Sequence, residues 1–372
     1  MPIILKLLSF LLLFPAFSAA AEFEQDLTLE SAVGREVPAA PEAQVVDGAA
    51  ADYEGYLATL AYYSDIAYQA VPGTEDYLEA SIAGDYLRRK VDEIEAGLGA
   101  SGSPMSLNGD PVRLHLPSEK VMSELRGVFG FGTEDGRAEP VTIKRGFAKI
   151  VYVKGSTPFL VQDDSFLNKG EIILTFDDGP APGKYSMAVA DNLKANSAQA
   201  VFFVLGEKLG AAGKAIIKVE AEDGNFVAVH GYNHATETGK PFTAYTTGKT
   251  LAKLGQAAGS ITSATGVKPA LFRPPYGVIG ADALKAVITG LDLVPLGWTI
   301  DTMDWSVKSP DELYAKTIAL IKQRGKGIVL MHDIHPQSRE TVRRLLQWFK
   351  ENNYKVVSPD RIVQAFRAQQ GE

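Results

Sequence analysis

The stretch Ile172-Ile-Leu-Thr-Phe-Asp-Asp-Gly-Pro180 decides how the chain is read. Its first five residues form a short apolar run, which ends in two acids followed by Gly179 and Pro180. A run of this length, closed by turn residues and without polar alternation, marks a strand buried on both faces. Similar runs follow at 201–204, 226–229, 270–272, 293–296, 328–331 and 355–357. Between most of them lie stretches with helical spacing, around 186–195, 207–221, 246–263, 281–289, 311–323, 338–350 and 359–369. This alternation predicts an α/β fold, a parallel sheet covered by helices. Seven or eight units would close into a barrel and fewer would leave an open sheet; no internal repeat decides between them.

The ends of these runs carry the polar chemistry. Asp177 and Asp178 follow Phe176, and His230 follows Val229 with His234 four positions on. Arg273-Pro-Pro-Tyr-Gly277 follows Phe272, Asp301-Thr-Met-Asp-Trp305 follows the run at 293–296, and His332-Asp333 follows Met331. In a parallel sheet every strand C-terminus lies on one face, where catalytic groups gather. Five separated segments therefore converge on one mouth. Singly, each has a plainer reading: a polar turn at 177–180, surface histidines at 230 and 234, an unremarked Asp304-Trp305 pair. Joined with a carboxylate, two histidines make a three-ligand site that leaves a position open for water, as catalytic zinc requires.

In order, Thr175-Phe-Asp-Asp-Gly-Pro180, His230-Gly-Tyr-Asn-His234, Arg273-Pro-Pro-Tyr276, Asp301-Thr-Met-Asp-Trp305 and Leu330-Met-His332 resemble the five motifs of the polysaccharide deacetylases, the NodB-homology or carbohydrate esterase family 4 group. The resemblance covers about residues 170–360 and implies a distorted (β/α) barrel that removes N-acetyl groups from an amino-sugar polymer. It implies that Asp178, His230 and His234 bind a divalent metal, usually zinc. Asp177 is then the base, Arg273 its charge partner, the backbone N–H of Tyr276 an oxyanion donor and His332 the acid, held by Asp304. Trp305, Leu330 and Pro275 would wall the substrate pocket. The chemistry asks for such a set. Water needs activation, the tetrahedral oxygen needs positive partners, and an amine cannot leave without a proton. The sequence departs from the family at Gly231, where Ser or Thr is common, which puts the outer support of the ligands in question. His335 takes no family role, and Asp301 reads as structural.

The rest of the chain carries no such motif. Lys6, an apolar run over 7–17 and Ala19-Ala-Ala21 read as a secretory signal removed after Ala21, so the protein is expected to be exported, to the periplasm or beyond. The run is too short for a comfortable membrane span. Residues 22–165 are expected to form a smaller α+β domain of unassigned role, and 166–372 the catalytic domain. Helices are expected near 53–68 and 77–97, and strands at 111–116 and 141–153, with His115 structural. The tyrosines of the first helix fit an amphipathic core better than a sugar platform.

Composition sets the outer limits. The chain has 372 residues, 46% hydrophobic and 22% charged, which is globular. Zero cysteines exclude disulfides, thiolate metal sites and thiol nucleophiles. A net charge of -8 with no basic block argues against nucleic acid and anionic membranes. An acetylated amino-sugar polymer such as peptidoglycan is the expected partner. Chitin oligomers, an N-acetylglucosamine exopolysaccharide and acetyl-xylan stand beside it, because loops between the motifs set the substrate. A carbohydrate-binding protein on an inactive barrel, or a first domain with the main task, are the readings from other classes.

Overall fold

β4 (Glu171–Gly179) lies at the centre of the parallel sheet, buried along almost its whole length. This computed structural model describes residues 47–97, 116–131, 140–143, 146–181, 183, 185–234, 242, 245–307 and 309–370. On one side β4 pairs in parallel with β10 (Gly327–His332), from Gly327 opposite Ile172 to His332 opposite Asp177. On the other it pairs with β5 (Ala200–Val204) and, near its start, with β11 (Lys355–Val356). The full order is β8-β7-β6-β5-β4-β10-β9, using β6 (Phe226–Val229), β7 (Leu271–Phe272), β8 (Val294–Pro295) and β9 (Ile300–Asp301). The sheet curves as a path with two ends, so the expected distorted barrel is present as a half-barrel wrapped by helices.

Every apolar run expected as a strand falls on one. The helices are α4 (Tyr185–Ala195), α5 (Ala211–Glu222), α6 (Thr247–Thr265), α7 (Ala281–Leu291), α8 (Pro310–Arg324), α9 (Pro336–Glu351) and α10 (Asp360–Gln370). The stretch 207–221 is divided, with a single 3-10 turn at Gly206–Lys208 before α5. α8 shows why such boundaries are readable. Ser309 caps its first turn, Pro310 opens it, Lys322 and Arg324 lie in its last turn, and left-handed Gly325 ends it. One face of the sheet and the helix stripes share a core that includes Leu174, Phe176, Phe202, Val204, Phe272 and Met331. Each such fully buried side chain contributes about 1.5–3 kcal/mol.

The earlier residues form α1 (Asp47–Gln69), α2 (Glu75–Gly97), α3 (Glu119–Phe129) and an antiparallel sheet of β1 (Val141–Ile143), β2 (Ala148–Val153) and β3 (Thr157–Gln162). The antiparallel sheet ends at Gln162 and the parallel one begins at Glu171. Val46–Glu372 nevertheless makes a single compact unit. Its second core joins Tyr63, Tyr86, Leu87 and Phe129 of the helices to Tyr276, Val278, Met303 and Trp305 of the motif loops. The helices thus pack directly on the mouth of the half-barrel. α3 and β3 were not expected from the sequence. The strand expected at 111–116 lies outside the described residues but for Leu116, which is not in a strand, and His115 and the signal segment 1–21 also lie outside. Among the described residues no helix is long and apolar enough to cross a membrane.

Candidate active site

Asp177 and Asp178 are neighbours on β4, and neighbours on a flat strand point to opposite faces. Here they point the same way. Asp178 has a left-handed backbone (φ 75°), and the β4–β5 register shifts between Asp177 and Gly179. His230 Nε2 consequently stands 3.7 Å from Asp177 Oδ2 and 3.4 Å from Asp178 Oδ1. His234 (φ 52°), Tyr276 (φ 58°) and Met303 (φ 50°) are left-handed as well. Non-glycine residues in that region cost of order 1–3 kcal/mol each and gather where a site over-determines the backbone.

Arg273 is fully buried at the strand ends. Its Nη1 donates to Asp177 Oδ1 at 2.7 Å and to Thr175 Oγ1 at 2.8 Å. Its Nε and Nη2 donate to the carbonyls of Leu296 and Gly297, and its plane lies 4.2 Å from the centre of the Phe203 ring. A buried guanidinium is tolerated because its donors are used and one carboxylate answers its charge.

Asp178, His230 and His234 place ligand atoms within 4.8 Å of one another. The Nδ1–H of His230 donates to the carbonyl of Arg273 at 3.0 Å, which leaves its Nε2 lone pair facing inward. His234 Nε2 lies 3.4 Å from the same Asp178 Oδ1, and that oxygen accepts no hydrogen bond. Burial, helped by Arg89, holds His234 well below the usual imidazole range, so its ring is neutral. Burial opposes the charge on Asp178, but Arg89 and the nearby histidines outweigh it and hold its carboxyl well below the usual range. Two imidazole lone pairs and an unpartnered carboxylate oxygen therefore converge on one point. Such a set fits a divalent cation, and nitrogen and oxygen donors without sulfur suit zinc. His234 Nδ1 has no hydrogen-bond partner among the described residues, so as a metal ligand it would lack the usual outer anchor. Gly231, the family departure, has φ 111°, a conformation that disfavours the Ser or Thr common there.

Across the mouth, His332 Nδ1–H donates to Asp304 Oδ1 at 2.7 Å. Asp304 Oδ2 accepts from the backbone N–H of His332 and from Ser338 Oγ. Burial disfavours the imidazolium, yet Asp304 overrides it and pushes His332 up to about 10. His335, the residue before α9, lies edge-on to His332 and is held low by burial. Asp301 is buried and accepts from Ser81 Oγ at 2.6 Å and from the Met303 N–H.

A cleft between these groups is lined by Asp177, His230, Tyr276, Trp298, Trp305, Leu330 and His332. Pro274 lines it; Pro275, expected in its wall, is buried and is not among the lining residues. Sequence reasoning missed an entire wall, because Ser81 and Asp85 of α2 also line the cleft. Arg89, one turn on, makes an ion pair with Asp178. The signal was available: Tyr77, Ser81, Asp85 and Arg89 recur every fourth residue on one helix face that also carries Ala80 and Gly84. Polar groups in a stripe otherwise fit for burial need partners, and within α2 only the Asp85–Arg89 pair supplies one.

The family model described as polysaccharide deacetylase matches residues 166–290. The chain is 32% identical over 189 residues to a peptidoglycan-N-acetylglucosamine deacetylase of Bacillus cereus, covering 49% of this chain and 66% of that protein. It is 29% identical over 233 residues to the peptidoglycan-N-acetylglucosamine deacetylase PgdA of Listeria monocytogenes, covering 61% and 47%. Thus the chain spans about half to two thirds of the length of these curated relatives. Among solved structures, the polysaccharide deacetylase Bc1974 of Bacillus cereus is 29% identical, with a TM-score of 0.44 over 51% of this chain and 92% of that one.

Proposed function

Since the chain belongs to the polysaccharide deacetylase family, we propose that it is a metal-dependent hydrolase that removes N-acetyl groups from N-acetylglucosamine residues of a polysaccharide, peptidoglycan first. The observation that carries this is the unpartnered Asp178 Oδ1, set 3.4 Å from the Nε2 of both His230 and His234. Asp178, His230 and His234 would hold the cation, zinc by the donor set. A bound divalent cation supplies a Lewis acid for the acetyl carbonyl and brings the pKa of water down to about 7.

The chain's own residues do the rest. Asp177 takes a proton from the attacking water, and Arg273 holds its carboxylate in place. The N–H of Tyr276, in a left-handed turn at Pro275–Gly277, would serve the oxygen on which charge develops. His332 donates a proton to the leaving nitrogen. At neutral pH it holds that proton because Asp304 favours the imidazolium. Trp305 and Leu330 wall the acetyl group. A base and an acid with opposite needs are thus served by two separate pairs, Asp177–Arg273 and His332–Asp304.

The apolar segment at 7–17 supports export to the periplasm or outside the cell, where peptidoglycan is met. Mass spectrometry of peptidoglycan, chitin oligomers and acetyl-xylan after incubation with the chain tests the substrate. Loss of acetyl mass from peptidoglycan glucosamine is expected; loss from xylan alone contradicts the amide reading.

A further inference from the structure

Helix α2 brings a second cation to the proposed metal seat. Arg89 Nη2 sits on Asp178 Oδ2, the other oxygen of the proposed ligand carboxylate. Its Nε lies 3.4 Å from Asp85 Oδ1 and has no hydrogen-bond partner. Asp85 Oδ2 in turn stands 3.7 Å from His234 Nε2. The guanidinium therefore gives one positive charge to a buried carboxylate whose other cationic neighbour, His332, lies 3.8 Å from the same oxygen. The side chain is 21% exposed, and its other acidic neighbour belongs to its own helix, so it can swing outward without unfolding α2.

The helix itself is pinned. Ser81 donates to Asp301 Oδ2 at 2.6 Å, Tyr77 donates to the Asp301 carbonyl, and Gly84 lies flat against Trp305. The space left in the cleft is about 20 Å3, room for little more than one water. A cation held at Asp178 Oδ1 would stand beside the guanidinium on Oδ2, and like charges that close repel in a buried site, so the two compete for Asp178.

We propose that Arg89 is a displaceable counter-ion, a latch that holds Asp178 until a divalent cation takes its place and the side chain leaves the mouth. The proposal rests on Asp178, His230 and His234 as ligands. The test uses the full chain, with zinc affinity measured by competition with a chromophoric chelator. Arg89→Gln is expected to bind zinc about tenfold more tightly than the wild type, because the competitor is gone. Lys90→Gln removes the same formal charge from the next position, where the amine faces Glu93, and is expected to change affinity by no more than about twofold. A second readout needs no variant: mass-spectrometric mapping of arginine modification by phenylglyoxal. Arg89 is expected to be protected without metal and to react faster once zinc is added.

Equal zinc affinity in wild type and Arg89→Gln overturns the latch. So does equal tightening by Lys90→Gln, which would mean a general field, and so does an Arg89 whose modification rate ignores zinc. Zinc bound by the wild type but lost in His230→Ala keeps the ligand reading intact whichever way the latch falls. If neither wild type nor Arg89→Gln takes zinc, both fall together.

Discussion

The Nδ1 of His332 lies 2.7 Å from Oδ1 of Asp304, and both groups are buried. Burial alone would make this imidazole give up its proton; the adjacent carboxylate makes it keep it. The raised pKa links protonation to folding with a definite sign. The pair stabilises the fold fully below the unfolded histidine value of about 6.5, and that contribution fades as pH rises toward about 10.

Asp304→Asn removes the charge and keeps the shape. His332 should then titrate lower than in the wild type, because burial still opposes its charge and the carboxylate that outweighs burial is gone. The alkaline limb of kcat/KM should move to lower pH, and the rate at pH 7 should fall by about 10²–10⁴. A pH–rate profile of the variant checks this; an unmoved alkaline limb would show that His332 is not the acid.

Arg273→Ala should cost about 3–5 kcal/mol, because it leaves the Asp177 carboxylate buried without its partner. Urea denaturation measures the loss. A change below about 1 kcal/mol, the range of an exposed ion pair, would mean that water reaches Asp177 freely.

Gly84→Ala separates packing from helix propensity. In an isolated helix alanine is better than glycine by about 0.5–1 kcal/mol. Here the added Cβ would collide with the Trp305 ring, so a net loss of about 1–3 kcal/mol is expected. Trp305 fluorescence should shift with it. A stabilised variant would show that α2 does not bear on the site's aromatic wall.

Gly231→Ser restores the residue type common in the family but must adopt φ 111°. Strain should dominate, costing about 1–3 kcal/mol and weakening zinc binding rather than improving it. Thermal denaturation and zinc competition on the same variant check both effects. Tighter zinc binding would show that the backbone relaxes and that the missing hydroxyl is the greater loss.

How far the sequence could be read follows from range of interaction. The strand runs were legible because burial on both faces writes itself into consecutive residues, as in 172–176. The mouth was legible because strand C-termini share a face, so Asp177, His230, Arg273 and His332 could be brought together before any geometry was known. β9 was not, since Ile300–Asp301 is too short to carry a period. The left-handed kink at Asp178, which turns two neighbouring acids to one side, leaves no mark in the letters. The wall made by α2 depends on a contact between residues 89 apart, Arg89 and Asp178, and such contacts have no local signature. Only the i+4 stripe of Tyr77, Ser81, Asp85 and Arg89 hinted at it.

The central claim is that a cation held by Asp178, His230 and His234 drives removal of acetyl groups. The most direct measurement is acetate release from N-acetylated peptidoglycan by the chain stripped with a chelator and then supplied with zinc. Release should vanish on stripping and return at one zinc per chain. Undiminished release from the stripped chain would contradict the claim.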